Sequence, residues 1–120
     1  MNMKPINLED RLIQFSVDII LMCNKIEKSF TSEHLAKQLI RSATSSALNY
    51  GEARSGESTN DFLHKMKICL KELRESFINL KIQKGAELIS DVDLLNKLLK
   101  ENDELISIFV ASIKTASIKK

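Results

Sequence analysis

Leu39-Ile40-Arg41-Ser42-Ala43-Thr44-Ser45-Ser46-Ala47-Leu48-Asn49-Tyr50-Gly51-Glu52-Ala53-Arg54 leads through a Ser-rich turn into Asp61-Phe62-Leu63-His64-Lys65-Met66-Lys67-Ile68. The first half is crowded with Ala and Ser, so its backbone can approach a neighbouring helix closely. The second half, extended by Lys71-Glu72-Leu73-Arg74-Glu75-Ser76, is amphipathic and dense in charge. Two helices meeting at a short polar link are the expectation, and it fixes the reading of the flanking sequence.

Outward from this pair the same periodicity recurs. Leu8, Leu12, Phe15, Ile19, Met22 and Ile26 alternate in steps of four and three, which predicts a first helix over 8–28. The second spans 32–54, with Thr31 or Ser32 as N-cap, a stripe of Ala36, Ile40, Ala43, Ala47 and Tyr50, and Gly56 as a stop. The third spans 59–84 between a Ser58/Asp61 capping box and Gly85, with Phe62, Met66, Cys69, Leu73, Ser76 and Leu80 on one face. The fourth spans 91–116 behind Ser90 and Asp93, with Val92, Leu95, Leu99, Asn102, Ile106, Phe109, Ile113 and Ala116 as its seam. Pro5 precedes the first helix, and no strand-like alternation competes. Links this short force antiparallel neighbours, so residues 1–120 are expected to form one all-α domain, an up-down-up-down four-helix bundle.

Composition limits the functional classes. A net charge of +2 does not by itself imply a nucleic-acid or membrane partner. Cys23 and Cys69 lie in apolar patterns without C-x-x-C spacing, which predicts reduced core thiols and a cytoplasmic setting. The run Ile19–Cys23 is far short of the ~20 apolar residues of a membrane span, and Met1–Arg11 lacks the order of a signal peptide. Enzymatic constellations are missing as well. Asp61-x-x-His64 is the single fragment of a dimetal ligand set, His34 has no matching carboxylate, and Glu72 with Glu75 has no evident cleft. There is no Gly-rich phosphate loop or Ser/His/Asp set. A non-catalytic protein with no metal or cofactor is the expectation.

Two features suggest partners. Helix one carries extra apolar residues at Ile13, Val17, Ile20 and Leu21, and helix four at Leu94, Leu98, Leu105 and Ile108. Apolar arcs wider than one seam predict either self-association through these residues or two helices sunk deep in one core. Charge is also segregated. Asp61–Lys84 has six Lys/Arg against three Asp/Glu, and Asp91–Ile106 has two against five. Lys67, Lys71, Arg74 and Lys81 follow spacings of four, three and seven, a stripe about 21 Å long suited to a phosphate backbone or to plain solvation. Arg41 and Arg54 are further phosphate-contact candidates. The structural alternative places Arg54 with Asn49, Glu52 and Asp61 in a hydrogen-bonded corner. Aromatics are scarce, Trp is absent and Tyr50 sits in a buried rhythm, so base stacking of the single-strand-binding kind is not expected.

The central segment resembles the four-helix-bundle proteins encoded in intervening sequences of bacterial 23S ribosomal RNA genes. The matching positions are Arg41, Ser42, Thr44, Asn49, Glu52, Ala53, Arg54, Ser58, Asp61, Phe62, Lys71, Glu72, Glu75 and Leu80. Departures fall at Ser46-Ala47, Gly51 and Asn79, where the family more often has Gly-Ala, a larger residue and an aromatic. The resemblance implies a homopentamer and no agreed biochemical activity. A related bundle, the accessory variability determinant of diversity-generating retroelements, implies by analogy an RNA- or DNA-associated scaffold. A protein-interaction scaffold without nucleic-acid contact is the alternative.

Overall fold

The computed structural model describes residues 7–119, all of whose regular structure is helical: α1 (Leu8–Asn24), α2 (Phe30–Arg54), α3 (Thr59–Gly85) and α4 (Val92–Lys119). Pro5 and most of Met1–Arg11 lie outside the described residues. Each helix packs on its neighbours in sequence, α2 most extensively on α3, and α1 closes the bundle through its thinner contact with α4. The antiparallel four-helix bundle expected from the short links is thus present. Its dimensions, 47 × 38 × 20 Å, make it a flattened slab.

The helix boundaries follow from capping chemistry. Asn7 caps α1 through its side chain, which accepts from the Asp10 N–H. α1 stops at Asn24, four residues earlier than periodicity suggests, and Ile26 still packs against the core from the link. α2 starts earlier than expected because Ser29, not Thr31 or Ser32, is the cap. Ser29 and Ser32 form a reciprocal capping box, and this draws Phe30 into the helix. Ser58 caps α3 as read from the sequence. At α4 the capping acceptor is the Asp91 carboxylate, not Ser90, and it takes the Leu94 N–H at 3.1 Å.

The end of α3 departs from expectation instructively. Gly85 remains helical, and the left-handed residue is Glu87 at φ 56°. The Leu88 N–H donates to the Gln83 carbonyl and the Glu87 N–H to the Lys84 carbonyl, a Schellman closure with a non-glycine residue in glycine's usual place.

The core is built from Leu12, Phe15, Ile19 and Met22 of α1, Leu39 and Ala43 of α2, Met66, Cys69, Leu73 and Leu80 of α3, and Leu95, Leu98, Leu105 and Phe109 of α4. Small residues let the α2 backbone come close on two sides. Ser16 Oγ donates to the Ala43 carbonyl across α1/α2, and Ser42 and Ser76 Oγ lie 2.8 Å apart across α2/α3. The seam of α4 is rotated from its predicted position. Leu95, Leu98, Asn102, Leu105 and Phe109 are buried, whereas Leu99 and Ile106 are half-buried and Val92 is exposed. Leu98 and Leu105, expected as oligomer contacts, are core residues of the protomer. The paired apolar residues 94/95, 98/99 and 105/106 satisfy two adjacent heptad seams, and packing against α3 and α1 chooses between them.

Candidate functional site

Between the outer faces of α2 and α3 runs a groove of about 740 Å³. Its walls combine Leu35, Gln38 and Arg41 of α2 with Lys67, Lys71, Arg74, Ile78 and Ile82 of α3. Helical spacing of four, three and four puts Lys67, Lys71, Arg74 and Ile78 along one exposed ridge. Four cations therefore meet a single lining carboxylate, Glu75, above a partly apolar floor that includes Leu70.

The cations are not equivalent. Arg41 is engaged: Nη1 lies 3.1 Å from Glu72 Oε2 and Nη2 2.9 Å from Glu75 Oε2. The hydrogen bond to Glu75, then the charge of Glu72, raises its pKa, so these contacts favour the charged guanidinium. Glu72 is buried, and Arg41 is what neutralises it. By contrast Lys67, Lys71 and Arg74 are exposed and make no ion pair among the described residues. Their charge is available to a ligand.

Two other candidates separate from this group. Lys81 lies on the same side of α3, beyond Ile78, with Nζ 4.4 Å from the centroid of the Phe77 ring. Arg54 sits at the far end of α2 and pairs with Glu9 of α1 at 3.2 Å. The hydrogen-bonded corner expected around it does not form. Glu52 pairs with Lys65 at 2.6 Å, Asn49 donates to the Ser45 carbonyl of its own helix, and Asp61 supplies its backbone N–H to Ser58. Arg54 and Glu52 instead tie α2 to α1 and to α3 respectively.

Asn79 adds a polar group to the groove wall. Its Nδ2 donates to the Leu35 carbonyl at 3.1 Å, and its Oδ1 accepts from Gln83 Nε2 at 2.7 Å. Gln83, which supplies the second of these hydrogen bonds, was missed by sequence reasoning. A stacked pair was missed as well: the Phe30 and His34 rings lie 6.4 Å apart and 9° from parallel, with Phe30 88% exposed. The spacing of 30, 34, 37 and 41 was the available signal, hidden because α2 was expected to begin after Phe30.

On the opposite pair of helices, Ile13, Val17 and Leu21 form an exposed ridge along α1, 49, 40 and 52% accessible, with Ile20 half-buried beside it. Leu94 and Ile108 of α4 are half-buried. Arg11 bridges α1 to α4, its Nε donating to Glu101 at 3.0 Å and its Nη2 to Glu101 and Glu104. No cluster of His, Cys, Asp and Glu suited to a metal occurs among the described residues, and no helix there is long and apolar enough to cross a membrane.

The model of the 23S rRNA-intervening sequence proteins matches residues 7–111. The chain belongs to that family. A crystal structure of a protein of unknown function from the S23 ribosomal protein family of Bacteroides thetaiotaomicron superposes with a TM-score of 0.80 at 28% identity, covering 90% of this chain and 99% of that one. No curated protein matches. The family match includes the whole α2/α3 groove, so the cationic ridge lies on the shared bundle.

Proposed function

We propose that this 23S rRNA-intervening sequence protein is a non-catalytic, self-associating bundle that binds the phosphate backbone of RNA or DNA through the α2/α3 groove. The observation that carries the reading is the set Lys67, Lys71 and Arg74: three exposed cations on one face with no carboxylate partner among the described residues. Arg41 shapes the wall while neutralising Glu72, Lys81 extends the stripe, and Arg54 is assigned to fold closure. The α1 ridge supports self-association, and the family resemblance supports a pentamer, which would multiply a modest patch into a multivalent one. Two free thiols, Cys69 buried and Cys23 half-buried, both held neutral by desolvation, fit a reducing, cytoplasmic setting.

Fluorescence anisotropy with labelled structured RNA, duplex DNA and single-stranded DNA tests this at about 50 and 200 mM salt. Three phosphate contacts predict a log–log salt slope of about −2 to −3. Simultaneous Lys67→Glu, Lys71→Glu and Arg74→Glu should abolish binding. Absence of binding at low salt overturns the reading.

One observation favours a second function. Leu35, Leu70, Ile78 and Ile82 give the groove an apolar component that phosphate alone does not need. An acidic amphipathic helix from a protein partner would use both surfaces. Such a complex should weaken on Ile78→Ser and show a shallower salt dependence.

A further inference from the structure

We infer that Phe30 and His34 form a base-stacking platform at one end of the cationic face, so that the site takes single-stranded nucleic acid in preference to duplex. The inference rests on the nucleic-acid reading above and names its substrate class. Phe30 is 88% exposed, and its contact with His34 is a near-parallel stack, so the ring contributes little to the bundle and remains open to a ligand. The Ser29/Ser32 capping box fixes the backbone on either side of it. The platform is therefore held in place by the helix start.

Its position links it to phosphate-binding charge. Phe30, His34, Lys37 and Arg41 recur at four, three and four residues and occupy one face of α2, all exposed. From Phe30 to Arg41 the helix rises about 16 Å, and Leu35, Gln38 and Arg41 already line the groove shared with Lys67, Lys71 and Arg74. A stacked strand advances about 3.4 Å per nucleotide, so roughly five nucleotides cover that distance. A single strand can place one base on the Phe30 ring while its phosphates follow the cations. A duplex engages its base faces in its own stack and offers only its ends. Ring stacking is tolerant of base identity, so the preference concerns strandedness and not sequence.

The experiment compares wild type, Phe30→Ala and His34→Ala for binding to a labelled oligo(dT) strand and to a blunt-ended duplex of equal length. Wild type should favour the strand, and Phe30→Ala should lower strand affinity about tenfold while leaving duplex affinity and melting temperature unchanged. Adding unlabelled oligo(dT) should shift the Phe30 ring protons upfield in the NMR spectrum. An unchanged strand-to-duplex ratio in Phe30→Ala, with wild-type binding intact, overturns the platform alone. A fall in light-scattering mass on Phe30→Ala assigns the ring to a subunit contact and also overturns it. If wild type binds neither polymer, the nucleic-acid reading fails and the platform falls with it.

Discussion

Glu87 and Gly51 are each in the place that suits the other. Glu87 holds φ 56°, a conformation that favours glycine, whereas Gly51 is inside α2 with nothing within 4 Å of an added Cβ. Glu87→Gly and Gly51→Ala should each stabilise by about 0.5–1 kcal/mol and, being distant, should add. Thermal melts of the two single variants and the double variant check this. Cys69 gives a pH signature. It is fully buried, and desolvation pushes its thiol up from the usual value near 9 to about 12. The unfolded thiol ionises first, so its contribution is complete below pH 9 and is lost as pH rises from 9 through 12. Stability should fall there by about 1.4 kcal/mol per pH unit from this group. Urea melts at rising pH should show a shallower decline in Cys69→Ala than in wild type.

At the scale of elements, α2 works as a close-packing helix. Ala43 is fully buried, its carbonyl accepts from Ser16 of α1, and Ser42 beside it meets Ser76 of α3. Ala43→Leu should therefore separate α1 from α2 and cost about 1–3 kcal/mol, measured by denaturant titration. Two buried amides are less fully satisfied. Asn102 Nδ2 donates to the Leu73 carbonyl, but Asn102 Oδ1 and Gln83 Oε1 are buried without a protein donor. Each of these two buried oxygens carries a desolvation cost that an apolar side chain would avoid, and Asn102 carries it at a position where the predicted and observed seams of α4 coincide.

For the whole molecule, the decisive contrast is between apolar residues inside the protomer and those left outside. If the chain self-associates through the α1 ridge as proposed, Val17→Asp with Leu21→Asp should lower the light-scattering mass toward a monomer while leaving the melting temperature nearly unchanged, because both side chains are substantially exposed. Leu98→Asp should instead unfold the chain, since it places a charge in the core. If the α1 double variant leaves the mass unaltered, the ridge is not the contact. The flattened form, with a 15.3 Å radius of gyration against about 13.6 Å for a compact chain of this length, leaves long helix faces exposed.

The number, order and antiparallel course of the helices were determined by sequence alone, because the apolar periodicity and short polar links admit one arrangement. The α1 core stripe, with Leu12, Phe15, Ile19 and Met22 buried, was likewise legible, as were the Ser58 cap and the exposed ridge of Lys67, Lys71 and Arg74. Tertiary structure decided what periodicity left degenerate. It turned Leu98 and Leu105 inward, since adjacent leucines on α4 fit either seam until α3 and α1 supply a surface. It also divided the arginines: Arg41 lines the groove and neutralises Glu72, while Arg54 closes the bundle against Glu9. Both lie on α2, but their carboxylates come from different helices. Charge partners separated in sequence become defined only when packing brings them together.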